Sequence, residues 1–104
     1  EMSKYNAIRT AIDGITFASR KEASRYCELK MLAALHHISD LRLQVPYELI
    51  PKHGKLRAIK YIADFVYTEN GTEVVEDVKG MKTQVYTLKK RMMLEKYGIE
   101  IREV

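Results

Sequence analysis

Asn70-Gly71 lies between two runs with strand-like patterning, Ile59 to Glu69 and Thr72 to Lys79, and it constrains this chain more than any other dipeptide. Asn-Gly supplies the two positive φ angles of a two-residue hairpin turn, whose twist matches that of the strands it joins. Glu69 then faces Thr72, and every opposed pair farther down has the same sum of residue numbers. Asp64 falls opposite Asp77, with Val66 opposite Val75 and Ile62 opposite Lys79 on the same side. With a period of two, Tyr61, Ala63, Phe65 and Tyr67 share the other side with Val74, Glu76 and Val78. Both sides are rich in apolar groups, as in the middle of a covered sheet.

The rest of the chain supplies the cover. Asp13-Gly14, between Ile12 and Ile15, marks a short N-terminal hairpin. Ser19-Arg20-Lys21-Glu22 matches a capping box and opens a helix running to about His36, on which Glu22, Tyr26, Leu29 and Ala33 form one stripe. Leu41 to Ile50 reads as a strand interrupted at Pro46, followed by a loop over Pro51 to Gly54. Gly80 ends the second strand of the hairpin. Thr83 caps a helix from Gln84 to Tyr97, closed by Gly98, and residues 99–104 alternate as a last strand. The expected fold is α/β, with a helix, three strands, a helix and a strand after the hairpin.

At 104 residues the chain is long enough for one core and too short for two, so residues 2–104 are read as a single domain, with Glu1 a remnant ahead of Met2. Apolar residues make up 46% and charged residues 31%, which excludes a disordered or fibrous chain. No apolar run reaches the roughly 20 residues of a membrane span and no secretory leader is present, so a cytoplasmic protein is expected. The single cysteine, Cys27, excludes a disulfide framework or a Cys-rich zinc site, and is read as core packing. A net charge of +4 permits a polyanionic partner without requiring one.

Two carboxylates facing each other on a largely apolar ladder repel, so they either share a proton or are neutralised by a cation. The cation is the favoured answer, and hard carboxylate oxygens suit Mg²⁺, with Mn²⁺ able to substitute. Lys79, two residues beyond Asp77, places an ammonium beside that ion. Such a set supports phosphodiester hydrolysis: the metal polarises a phosphoryl oxygen and activates water, while the lysine stabilises developing negative charge. Glu22 stays open between two roles, as a helix cap or as a third carboxylate brought toward Asp64 and Asp77.

Tyr61-Ile62-Ala63-Asp64-Phe65 followed by Val75-Glu76-Asp77-Val78-Lys79-Gly80 resembles the Asp…(Asp/Glu)-x-Lys signature of the PD-(D/E)XK nuclease superfamily. Nearly the whole chain resembles a family of small phage-encoded proteins of that superfamily, long labelled as being of unknown function; Ser19 to Tyr26 and Gly80 to Thr83 match its pattern too. The resemblance implies an αβββαβ restriction-endonuclease-like core. It implies Asp64, Asp77 and the Val78 backbone carbonyl as metal ligands, Lys79 as catalytic lysine, and Glu22 as the acid from the first helix. Ala63 stands where the superfamily has proline, and Asp77 where glutamate is more usual. It further implies a DNA endonuclease acting on branched or junction DNA as a homodimer, in phage replication, recombination or packaging within the host cytoplasm.

Lys52, Lys55 and Arg57 in the loop before the Asp64 strand, and Lys82 and Gln84 beyond Lys79, are candidate DNA contacts; Lys52 and Lys82 are preferred as flanking the site. His36 and His37 point about 100° apart on a helix and cannot share a metal. Tyr86, Met92, Met93 and Tyr97 are read as core or dimer surface. Two other functions compete: a non-catalytic nucleic-acid-binding module that keeps the fold, and a purely structural protein.

Overall fold

A computed structural model of the chain describes residues 9–79 and 81–104. In chain order its elements are β1 (Thr10–Ile12), β2 (Ile15–Phe17), α1 (Arg20–Ala34), β3 (Ser39–Ile50), β4 (Ile59–Glu69), β5 (Thr72–Asp77), α2 (Gln84–Tyr97) and β6 (Arg102–Glu103). β1 and β2 form a two-stranded hairpin. The other strands form one mixed sheet in the order β3-β4-β5-β6, antiparallel except where β6 runs parallel to β5. The expected place of Gly80 at the end of a strand lies outside the described residues. No helix among the described residues is long and apolar enough to cross a membrane.

Local signals set the joints. Asn70 and Gly71 adopt φ 52° and 77°, and the β4–β5 register runs from Glu69↔Thr72 to Phe65↔Glu76, as the turn dictates. Asp13 and Gly14 do the same for β1 and β2, and Asp13 is tied to α1 by Tyr26 and Lys30. The Ser19 hydroxyl accepts from the Glu22 backbone N–H, and Thr83 accepts from Tyr86 in the same way. Gly98, at φ 66°, closes α2 with its own N–H on Leu94 and that of Ile99 on Met93.

The sheet lies between two apolar clusters. One joins Phe17, Ala23, Tyr26 and Leu29 to Phe65, Tyr67 and Val74 under α1; the other joins Tyr86 and Met93 of α2 to Tyr61, Ala63, Val66 and Val75. Tyr61 and Ala63 therefore lie on the side of Val66, opposite to the strict alternation expected. The faces change over at Asp64, whose cross-strand neighbour Gln44 takes a left-handed φ of 52°, so both strands are distorted at one level while the β3–β4 register is kept.

Several boundaries differ from expectation. β3 starts at Ser39 and runs through Pro46, which pairs with Ile62; an edge strand tolerates the missing N–H. α1 ends at Ala34, so His36 (φ 61°) and His37 lie in the following turn and not on a helix. β5 ends at Asp77 and β6 is only two residues long, although Lys79 and Val104 still exchange a backbone bond. Cys27 is exposed, because the buried stripe of α1 runs through Ala23, Tyr26 and Leu29 and leaves Cys27 about 100° away from Tyr26.

Candidate active site

Past Phe65↔Glu76 the backbone ladder between β4 and β5 gives way to a side-chain bridge: the Val78 N–H donates to Asp64 Oδ2 at 2.8 Å. The two strands open into a fork. A cavity of about 450 Å³ lies there, walled by Glu22 from α1, Lys60, Ile62 and Asp64 from β4, Asp77 and Lys79 from β5 and its extension, and Tyr86 and Lys89 from α2. The turn-derived register stops one pair short of Asp64 and Asp77, which do not form the expected ladder pair, but it carries both acids and Lys79 to this cavity, and α1 adds Glu22.

Asp77 is 3% exposed. Its Oδ2 accepts from the Tyr61 hydroxyl at 3.0 Å and lies 3.1 Å from Lys79 Nζ. That ammonium also sits 3.8 Å from the centre of the Tyr86 ring, a cation–π contact that fixes it from a second side. Burial and the neighbouring Asp77 push the Asp64 carboxyl up to about 8, against the pull of the Val78 N–H. Burial, then the Asp77 charge, also raises Glu22, with Lys79 pulling it back. Glu22 is therefore electrically part of the site as well as the residue whose backbone N–H the cap engages.

The Val78 carbonyl faces the same way. Asp77 O and Lys79 N bond to Val104 on the outer side, and backbone groups of successive strand residues face opposite edges, so Val78 turns both its N–H and its C=O toward β4. Among the described residues no three His, Cys, Asp or Glu side chains are gathered tightly enough to hold a metal ion. The donor chemistry nonetheless fits a hard divalent cation: two carboxylates at one cavity, one paired with Lys79 and the other held protonated chiefly by burial, which a bound cation would offset.

The expected DNA contacts fall elsewhere. Lys82 pairs with Glu103 at 2.9 Å, and with Gln84 it lines a separate groove of about 890 Å³ between α2 and the C-terminal segment. Lys52, Lys55 and Arg57 are exposed in the β3–β4 turn and do not line the cavity. The cavity itself carries Lys60 and Lys89 beside Lys79, with Tyr61 and Tyr86 as the aromatic partners of the acid and the lysine. The sequence carried one usable signal for Tyr86, its place in the first turn of a helix that Thr83 caps beside the fork.

In metal-free buffer the Asp64 shift has a measurable sign. An unfolded aspartate ionises near pH 4 whereas Asp64 in the fold holds its proton to about pH 8, so the folded state binds more protons in between and stability falls as pH rises through that window. Allowing for solvent screening of a partly exposed carboxyl, about 2 kcal/mol is expected to be lost. Asp64→Asn should flatten the profile in urea titrations between pH 5 and 8.5; an equally steep profile in the variant would assign the slope to another group.

These features define a class: an α/β protein with a four-stranded mixed sheet and an acid–lysine site where two strands part. The chain belongs to the family described as "Protein of unknown function (DUF1064)", whose model matches residues 2–103. No curated protein and no solved structure matches it.

Proposed function

We propose that this protein is a Mg²⁺-dependent DNA endonuclease of the PD-(D/E)XK kind, built on a restriction-endonuclease-like core. One observation carries the reading: Asp64 and Asp77 converge in the fork of β4 and β5, with Lys79 paired to Asp77 and facing the same cavity. Asp64, Asp77 and the Val78 carbonyl would hold the ion, which when bound supplies Lewis-acid polarisation of a phosphoryl oxygen and a water of lowered pKa. Tyr61 orients Asp77 by donating to Oδ2 and holds its carboxylate beside Asp64. Lys79, held against Tyr86 and Asp77, places its ammonium where negative charge grows on the phosphate. Glu22 adds a third acid able to orient water. The expected substrate is branched or junction DNA, cut by a homodimer because symmetric cutting needs two sites, in the host cytoplasm of a phage.

A non-catalytic nucleic-acid-binding module is the second reading, favoured by the lack of a three-ligand cluster among the described residues. Incubation with duplex, single-stranded and four-way-junction DNA separates the two. The nuclease reading expects products with Mg²⁺ or Mn²⁺ and none with EDTA. Salt-sensitive binding without products on any substrate would leave the second reading in possession.

A further inference from the structure

The cations of the β3–β4 turn differ from most others on this surface. Arg25, Arg42, Lys82, Lys90, Arg91 and Arg102 each lie against a carboxylate. Lys52, Lys55 and Arg57 pair with no acid among the described residues, whereas Lys60, already in β4, stands opposite Glu48 of β3; residues 51–60 contain neither Asp nor Glu. Three like charges within six residues repel, and a polyanion laid along them relieves that repulsion.

Their position relative to the cavity is fixed by the sheet. β4 pairs with β5 only from Phe65 onward but with β3 from Ile59, so the β3–β4 ribbon runs on beyond the fork. α2 braces it: the Tyr97 hydroxyl donates to the Glu48 carbonyl at 2.5 Å, and Leu49 and Tyr61 sit in the cluster beneath α2. Asp64, Ile62 and Lys60 alternate with buried Ala63 and Tyr61 and line the cavity, so one wall leads from the acids toward the turn. At about 3.3 Å per residue, Lys60 lies roughly 13 Å and Arg57, just ahead of β4, up to about 23 Å from Asp64.

We infer that the β3–β4 ribbon is an arm that grips the backbone of double-stranded nucleic acid about seven base pairs from a phosphate met by Lys79 and Lys89 at the cavity. The reading of that phosphate as scissile rests on the proposed nuclease function; the grip does not. A duplex rises about 3.4 Å per base pair, so about seven steps match the separation on the arm. A stiff duplex presents phosphates at that fixed spacing, whereas a single strand loses chain entropy to be held at both points. The substrate is thereby a duplex polymer and not a nucleotide or a short oligomer.

Fluorescence anisotropy in EDTA, where no metal-dependent cutting occurs, tests this on duplexes of about 6, about 12 and about 24 base pairs and on a single strand of about 24 nucleotides. Wild-type affinity is expected to rise at least tenfold from the shortest duplex to the next, and to favour the long duplex over the single strand. The Lys52→Ala/Lys55→Ala/Arg57→Ala variant should lower the salt-dependence slope on the longest duplex by about 2.7, three contacts at about 0.9 each, and bind the shortest like wild type. Lys55→Glu alone should weaken the long duplex more than Lys55→Ala does, its melting curve serving as the folding control. An unchanged slope, a preference for the single strand, or binding to anionic phosphatidylserine vesicles with none to duplex overturns the arm. Because the readout needs no cleavage, a lowered slope in a protein that never cuts DNA rejects the nuclease and keeps the arm; a cutting protein with an unchanged slope does the reverse.

Discussion

Asp77→Asn is expected to reduce Mg²⁺-dependent cleavage by about 10³-fold or more while leaving the fold intact or slightly stabilised in metal-free buffer. The substitution is isosteric, so the Tyr61 hydroxyl keeps a partner, but the charge that meets both Lys79 and an incoming cation is lost. It also removes the like charge that helps hold Asp64 protonated, so the stability decline between pH 4 and 8 should shrink. Loss of activity together with gain of stability is the signature of a functional acid; a structural acid gives loss of both. Lys79→Met should cost about 10²- to 10³-fold in cleavage by removing the fixed positive charge. Glu22→Gln separates the two roles of that residue, because the hydrogen bond from Ser19 engages the Glu22 backbone N–H and survives the change. A fall of tenfold or more with an unaltered melting temperature assigns Glu22 to the site. If Asp77→Asn cuts DNA as fast as wild type, the site is not a nuclease centre.

What could be read from the sequence was whatever a short stretch decides by itself. Asn70-Gly71 sets its turn, the turn sets the register, and the register delivers Asp64 and Asp77 to one fork; Ser19, Thr83 and Gly98 end their helices by similarly local chemistry. The features that escaped depend on two segments at once. The change of faces at Asp64 needs the left-handed Gln44 of a different strand, and strict alternation therefore put Tyr61 on the wrong side, away from the acid it donates to. Pro46 is harmless only because β3 lies at the sheet edge, which local patterning does not reveal. Lys82 is expected to contact phosphate as a residue flanking the site, and local patterning gives no sign that the C-terminal segment sets Glu103 against it. The fork itself, where a backbone N–H bonds a carboxylate in place of a ladder partner, requires β4 and β5 to part at a level the turn does not specify.

Arg25→Met is expected to destabilise the protein by about 3–5 kcal/mol, a large share of the roughly 5–15 kcal/mol that holds a domain of this kind together. Glu76 has no exposed surface, and its carboxylate is met by Arg25 through two bonds, at 2.9 and 2.6 Å, and by the Tyr67 hydroxyl, which in turn accepts from Arg102 at 3.0 Å. Removing the guanidinium strands a buried charge on a central strand. Removing both charges does not: Arg25→Met/Glu76→Leu replaces a costly buried pair by apolar contact and should recover most of the lost stability in urea unfolding. The pair also has a geometric consequence. Glu76 precedes Asp77 on β5, and Arg25 lies three residues after Glu22 on α1, so the clamp that fixes helix to strand also fixes Glu22 relative to Asp77. The double variant should therefore fold yet cleave more slowly than wild type, with the deficit no larger when Glu22→Gln is added, because both changes disable the same carboxylate. A single Arg25→Met variant within 1 kcal/mol of wild type would mean that Glu76 finds its compensation elsewhere, and the clamp would have no part in placing the helix.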